Sequence, residues 1–410
     1  MRYENKIFMI LKTVILEVIE HQADLLEKKA SGIQRFDLKQ LKLYDSFVLV
    51  ISGVRRCGKS TLLMQILKSR FENPLFLNFE DPRLSGFELS DFTKIDELIS
   101  SKLPDLIAFD EVQNIPEWEK YIRTKQDEGY QVIITGSNAS LLSKEFGTRL
   151  TGRYILRELF PFSFNEYLDF SGLEAGPDSL AGYLEFGGFP EFLKTQDEEI
   201  LFRLMDDIIY RDVVVRHGLR QVQTLRQLAI YLISNSGKTY SLTNLKNMFG
   251  IGSVRSVADY ISWLEDSYLI FSLPKFSFSL KKQIFNPRKV YCIDTGLAAA
   301  NSLSMSKDLG RKLENLIYLH LRKTFKTIYY YSEKGECDFI VVQKSQPTEA
   351  IQVCYQLTPD NIDRELNGLS EAMTELTLDD GKIITFDQDD TFEKNGKIIK
   401  SIPAWKYLCL

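Results

Sequence analysis

The chain is poor in the residues that build metal and disulfide sites. It has three histidines, His21, His217 and His320, and five cysteines with no Cys-x-x-Cys pair. They are scattered, so neither a zinc site nor a disulfide framework is expected, which suits a reducing cytoplasm. No apolar run reaches the roughly 20 residues of a membrane-spanning helix, so no membrane contact is expected. The N-terminal stretch from Lys6 to Glu17 is interrupted by charge and lacks a small-residue cleavage site. It reads as an amphipathic helix with Ile7, Ile10, Val14, Ile15 and Val18 on one face, and not as a signal peptide. Internal repeats and low-complexity tracts are also missing, which argues against a repeat array.

What remains is 410 residues of ordinary globular composition, 44% hydrophobic and 26% charged. That length is too great for one core, so two or three domains are expected. The net charge of −5 is unevenly spread, because residues 220–295 hold ten Lys/Arg against four Asp/Glu. This segment is the candidate for an anionic partner.

Gly53 to Ser60 read Gly-Val-Arg-Arg-Cys-Gly-Lys-Ser, a complete G-x-x-x-x-G-K-[ST] phosphate loop. Gly53 and Gly58 let the backbone N–H groups turn inward, with Val54, Arg55, Arg56 and Cys57 between them. Lys59 is expected to reach the β- and γ-phosphates of ATP, and Ser60 to complete a Mg²⁺ shell. Thr61 follows at the start of a helix whose positive end faces the phosphates. The apolar run Phe47–Ile51 before the loop reads as a buried strand.

Further apolar runs at 75–79, 106–109 and 132–135 alternate with helical patterns, which implies a parallel sheet covered on both faces. Asp110 and Glu111 end the 106–109 run. Asp110 is expected to hold Mg²⁺ through water, and Glu111 to activate the attacking water. Ser137 and Asn138 end the next run, where either can sense the γ-phosphate. Arg149 and Arg153 are candidates for a guanidinium supplied to a neighbouring subunit, with Arg153 preferred. Asp81 either supports the metal site or only shapes the turn before Pro82. Leu84-Ser85-Gly86 is followed by Phe87-Glu88 and comes too soon after the loop to be a transporter-type signature.

The second half reads differently. Residues 197–216 form a charged amphipathic helix. Residues 224–285 then give three short helices, with Ser241 and Ser253 as caps, and a ribbon over Tyr268–Phe271 and Lys275–Phe278. That is the pattern of a winged helix-turn-helix. Lys246, Arg255, Lys275, Lys281 and Lys282 are its candidate DNA contacts, although Asp259, Glu265 and Asp266 make the third helix poorly basic. In the last region Glu314, Asp338 and Gln352-Val353-Cys354 have the spacing of a restriction-endonuclease-like core. Gln352 and Cys354 stand where an active core needs a carboxylate and a lysine, so nuclease chemistry is not expected.

With these residues in place the chain resembles prokaryotic AAA-superfamily ATPases of archaeal-ATPase type, which carry a C-terminal domain of uncharacterised function. The resemblance rests on residues 53–61, 78–83, 110–114, 135–138, 150–153, 291–297 and 351–355. It implies ATP binding and hydrolysis by Lys59, Ser60, Asp110 and Glu111, and a C-terminal domain related to nucleases. The expected fold is therefore an α/β P-loop ATPase with a parallel sheet and a helical lid over 1–218, a winged helix over 219–285, and a small α/β nuclease-like domain over 286–410. The expected function is an ATP-hydrolysing switch whose nucleotide state controls a partner, with DNA as the candidate and an unknown protein partner and a homo-oligomer as further expectations. The alternatives are a non-catalytic ATP-dependent scaffold and a metal-dependent nuclease.

Overall fold

Runs of Val, Ile, Leu and Phe form the first sheet of the computed structural model, which describes residues 10–28, 30, 32–35, 38, 41–137, 152–302 and 308–410. Strands β1 (Val48–Gly53), β2 (Pro74–Asn78), β3 (Leu106–Asp110), β4 (Val132–Gly136) and β5 (Tyr154–Leu159) lie in the order β2-β3-β4-β1-β5. All pair in parallel. Every residue of β1, β3 and β4 is buried, as expected of continuous apolar strands covered on both faces. β5 was not anticipated. Its sequence, Tyr-Ile-Leu-Arg-Glu-Leu, mixes charge with apolar residues because it is a half-exposed edge strand. Helices Lys12–Lys28, Lys59–Arg70, Phe92–Lys102 and Trp118–Asp127 flank the sheet. An aromatic cluster of Phe79, Phe87, Phe92, Phe109 and Tyr121 fills one face, with Phe92 stacked on Tyr121 at 3.9 Å.

The chain divides between Leu159 and Phe160 into two compact units. The helices after Pro161 therefore belong with the second unit, whereas the sequence placed them with the first as a lid up to residue 218. Helix Glu199–Asp207 continues over Ile208–Val215 as a wider i→i+5 turn. Helices Val222–Ser234, Leu242–Met248 and Val254–Asp266 follow. Ser241 and Ser253 accept from the backbone N–H groups of Asn244 and Ser256, as their positions predicted.

Strands β6 (Thr239–Tyr240), β7 (Ile270–Leu273) and β8 (Arg288–Cys292) make a small antiparallel sheet in the order β6-β8-β7. The strand expected over Lys275–Phe278 is not formed. Phe276 instead donates its backbone N–H to Tyr330 and packs into the C-terminal core. The strand that pairs with β7 is β8, so the boundary placed between 285 and 286 falls inside this sheet.

The remainder runs helix Leu309–Thr324, β9 (Ile328–Ser332), β10 (Glu336–Gln343), β11 (Gln346–Val353), helix Ile362–Glu375, β12 (Asp380–Thr385), β13 (Asp390–Lys394) and β14 (Lys397–Pro403). These strands form one sheet in the order β13-β14-β12-β11-β10-β9. β9, β10 and β11 meander antiparallel, and β11 pairs in parallel with β12.

One buried carboxylate ties the helical part of this unit together. Asp294 accepts from the N–H of Leu297 (2.8 Å), capping helix Thr295–Asn301, and from the N–H of Gly188 (2.7 Å). A Cβ on Gly187 would lie 2.2 Å from Asp294 Oδ1, and one on Gly296 would lie 2.1 Å from the Phe186 carbonyl. The Gly187-Gly188 turn and the Asp294-Thr295-Gly296 turn are thus two halves of one joint. Burial pushes the Asp294 carboxyl from 3.8 up to about 6, against the backbone N–H groups of Gly188, Leu297 and Gly296. The native state then holds this proton more tightly than the unfolded chain. The stability contributed by Asp294 accordingly falls as pH rises from about 4 to about 6. Asp294→Ala leaves two buried N–H groups without an acceptor and is expected to cost on the order of 3 kcal/mol. Urea unfolding of both proteins across that pH range checks this, and the gap between them should narrow as pH rises.

Candidate phosphate-binding site

The C-terminal ends of β1, β2, β3 and β4 lie on one edge of the first sheet, where open parallel sheets bind ligands. The loop after β1 is held from both sides. A Cβ on Gly53 would lie 2.1 Å from the Leu159 carbonyl oxygen, which also accepts from Cys57 Sγ at 3.4 Å. Gly58 has φ +102°, and a Cβ there would lie 2.7 Å from Arg35 Nη1. The Arg35 guanidinium is buried and donates to the Cys57 carbonyl at 2.6 Å. Its backbone N–H donates to Gln65 Oε1, and Gln65 Nε2 donates to the Ile33 carbonyl, so the chain before β1 is strapped to helix Lys59–Arg70.

Lys59 is buried, and its ammonium donates to the Gly53 and Val54 carbonyls at 3.2 Å each. It lies 3.5 Å from Glu111 Oε1. Asp110 is fully buried and accepts from the Thr135 hydroxyl, from Asn78 Nδ2 (3.0 Å) and from the Ser60 hydroxyl. Burial, reinforced by the Glu111 charge, pushes the Asp110 carboxyl up to about 6. Glu111 is also buried, yet Lys59, the Gln113 amide and Arg55 outweigh that burial and hold its carboxyl below the usual range. Arg55 itself is paired with Glu80 at 3.1 Å.

Lys59, Ser60, Asp110 and Glu111 thus lie together at the end of the sheet. Ser137 is buried 3.4 Å from Gln113 Nε2. Asp81 accepts from the backbone and guanidinium of Arg83, whose hydrogen bond draws its carboxyl down to about 2. It shapes the turn at Pro82. Asn138 and Arg149 lie outside the described residues. Arg153 stands before β5, its guanidinium 3.0 Å from Asp127. Val48 pairs with Tyr154 and Gly53 with Leu159. Arg153 is therefore about 17 Å from the loop, a strand length away at the other end of the sheet. It takes no part in the site assembled by its own chain.

Five side chains were missed, Thr135 among them, whose hydroxyl donates to Asp110 and accepts from the Glu111 N–H. Gln113 bonds Glu111 through its amide, and a Cβ on Gly136 would meet its Oε1 at 2.8 Å. The only signal was its place two residues after Glu111. Asn78 supports Asp110 and is itself held by Gln22 of helix Lys12–Lys28, which accepts from its N–H (2.7 Å) and donates to its carbonyl (3.1 Å). Arg35, like Gln22, belongs to no motif.

A family model described as an AAA domain matches residues 45–168. A domain of unknown function, DUF8612, matches residues 177–308. The uncharacterised protein MJ1544 of Methanocaldococcus jannaschii is 35% identical over 97% of this chain and 95% of its own length. The chain belongs to the family of that protein. Its residues 45–168 are an AAA domain that carries the P-loop. An uncharacterised protein of Haemophilus influenzae is 29% identical over 77% of this chain and 84% of its own. Among solved structures, the Walker-type ATPase PABY2304 of Pyrococcus abyssi superposes with a TM-score of 0.40 at 14% identity, covering 71% of this chain and 94% of that one.

Gly53→Ala tests the loop's confinement in the AAA domain. The added methyl forces β5 or the loop to shift, so a lowered melting temperature and loss of fluorescent ATP-analogue binding are expected. Wild-type affinity in this variant would show that the close approach to Leu159 does not shape the site.

Proposed function

We propose that the AAA domain binds ATP with Mg²⁺ and hydrolyses it, as a switch whose nucleotide state alters what the second unit binds. The observation that carries this reading is the meeting of the Lys59 ammonium with the Asp110 and Glu111 carboxylates at the mouth of the loop. The donor set fits Mg²⁺. Ser60 and Asp110 are hard oxygen donors, and Asp110 is a carboxylate pushed up by burial and by the Glu111 charge, both of which a bound cation would offset. When bound, the ion offsets charge on the phosphates. Lys59 exchanges its two carbonyl partners for phosphate oxygens, and the N–H groups of 53–61 wrap the phosphates. Glu111, held ionised, takes the proton of the attacking water. Gln113 fixes that carboxylate, and its buried Oε1 has no hydrogen-bond partner among the described residues, which leaves an acceptor beside the water's position.

Lys59→Ala is expected to lose ATP binding. Glu111→Gln should bind ATP and turn it over at least about a hundredfold more slowly. Steady-state phosphate release checks both, and equal rates for Glu111→Gln and wild type would remove Glu111 from the role of base. Arg153, 60% exposed at the far end of its sheet, serves only a neighbouring copy. Specific activity should then rise with protein concentration.

The second unit carries the partner-facing part of the proposal. Three helices with a sheet in the order β6-β8-β7 support a winged helix. The run helix–strand–strand–strand–helix–strand from Leu309 to Thr385 supports a nuclease-like core without its chemistry, since Gln352 is a neutral amide and burial raises the Cys354 thiol. DNA is the proposed partner of the exposed Arg255, Lys281 and Lys282. Their reversal to Glu should abolish a weak binding whose salt slope is about −0.9 per phosphate neutralised. The second reading is a protein-contact module. It is favoured by Phe278, Leu280, Ile284 and Phe285, all at least 66% exposed between β7 and β8. Fluorescence anisotropy with duplex DNA at low salt decides between the two, and no binding leaves the protein contact.

A further inference from the structure

A second charged cluster lies away from the phosphate site. Lys289 of β8 is buried, and its Nζ lies 2.8 Å from Asp338 Oδ1 on β10, 3.2 Å from Glu314 Oε1 on helix Leu309–Thr324, and 3.1 Å from Glu336 Oε1. The Glu314 and Asp338 side chains are only 12% and 8% exposed, whereas Glu336 faces solvent at 58%. Glu314 and Asp338 each accept one further hydrogen bond. Tyr291 donates its hydroxyl to Glu314 Oε1 (2.7 Å), and the N–H of Val353 donates to Asp338 Oδ2 (3.0 Å). Gln352 accepts from the N–H of Asp338 and donates to Glu365.

Carboxylate oxygens from a helix and a strand converging on one point form the donor set of a hard divalent cation. Here the point is taken by an ammonium, whose three N–H groups meet three carboxylates. We propose that Lys289 is a resident cation that fills and closes a divalent-metal position on the six-stranded sheet. With the lysine in place, no group of three or more His, Cys, Asp or Glu among the described residues is arranged to hold a metal. Burial alone disfavours the charged ammonium, yet Asp338, Glu314 and Glu336 outweigh it and hold Lys289 protonated. The lysine comes from the small β6-β8-β7 sheet and not from the sheet that carries Asp338. One residue therefore both neutralises the position and bonds the two sheets together. The inference does not depend on ATP hydrolysis. It goes beyond an inactive nuclease-like core by naming what stands in the metal's place.

Lys289→Met keeps the aliphatic stem and removes the charge. The full-length, nucleotide-free variant is expected to melt lower than wild type and to recover with millimolar Mn²⁺, because an ion that binds only the folded state stabilises it by mass action. The electron paramagnetic resonance signal of free Mn²⁺ should fall by one equivalent with Lys289→Met, and not with wild type or with Lys289→Met/Asp338→Asn. Lys289→Met/Glu314→Gln removes one charge of each sign and should regain the wild-type melting temperature without metal. Three results would overturn the proposal. One is Mn²⁺ binding by wild type that is lost in Asp338→Asn. Another is a folded Lys289→Met protein that takes up no Mn²⁺. The third is a double variant as unstable as Lys289→Met, which also covers the case where Lys289→Met does not fold.

Discussion

The phosphate loop depends on two contacts that leave no space for a side chain. The Leu159 carbonyl presses on Gly53 from β5, and the Arg35 guanidinium presses on Gly58 from the segment before β1. Between them the loop's carbonyls are already engaged, by Lys59 at Gly53 and Val54 and by Arg35 at Cys57. A loop ordered before its ligand arrives does not spend binding energy on ordering itself. The edge strand and the strap therefore belong to the site as much as the motif they hold.

The parts legible in the sequence were those with a short-range cause. β1, β3 and β4 are unbroken apolar runs, and Lys59, Ser60, Asp110 and Glu111 sit at the ends of such runs. Ser241 and Ser253 announced their helices by capping chemistry that acts over three residues. What stayed hidden depends on distant partners. β5 looks like loop because one face meets water. Lys275–Phe278 looks like a strand, but Phe276 is drawn into another core. Arg35, Gln22 and Lys289 carry no local pattern at all, and Asn78 opens the 78–83 stretch without declaring its partner. Each meets its partner across 20 or more residues of chain. Gln113 is the near miss, two residues from Glu111 and turned back on it by a short 3₁₀ turn.

The charge of residues 220–295 shows the same limit. As a sum it suggests a basic surface. In the structure Lys289 is buried among carboxylates, Lys275 pairs with Glu333 at 2.8 Å, and Arg226 pairs with Asp206 at 3.1 Å. Arg220, Lys238, Arg255, Lys281 and Lys282 remain exposed, half of the ten, as a smaller field. Electrostatic attraction at distance depends on what reaches solvent, so a composition count overstates it here. The same excursion that carries Lys281 and Lys282 also exposes four large apolar side chains.

β8 is five residues long, yet it and the turn after it hold three layers together. Lys289 reaches the helix and sheet behind it, Tyr291 stacks on Tyr318 at 4.1 Å, and Asp294 closes the joint with the Gly187-Gly188 turn. Residues that read as two modules in sequence therefore share one buried seam. Neither module can melt without exposing the other's charged or aromatic side chains, so the second unit should lose its structure in a single cooperative step.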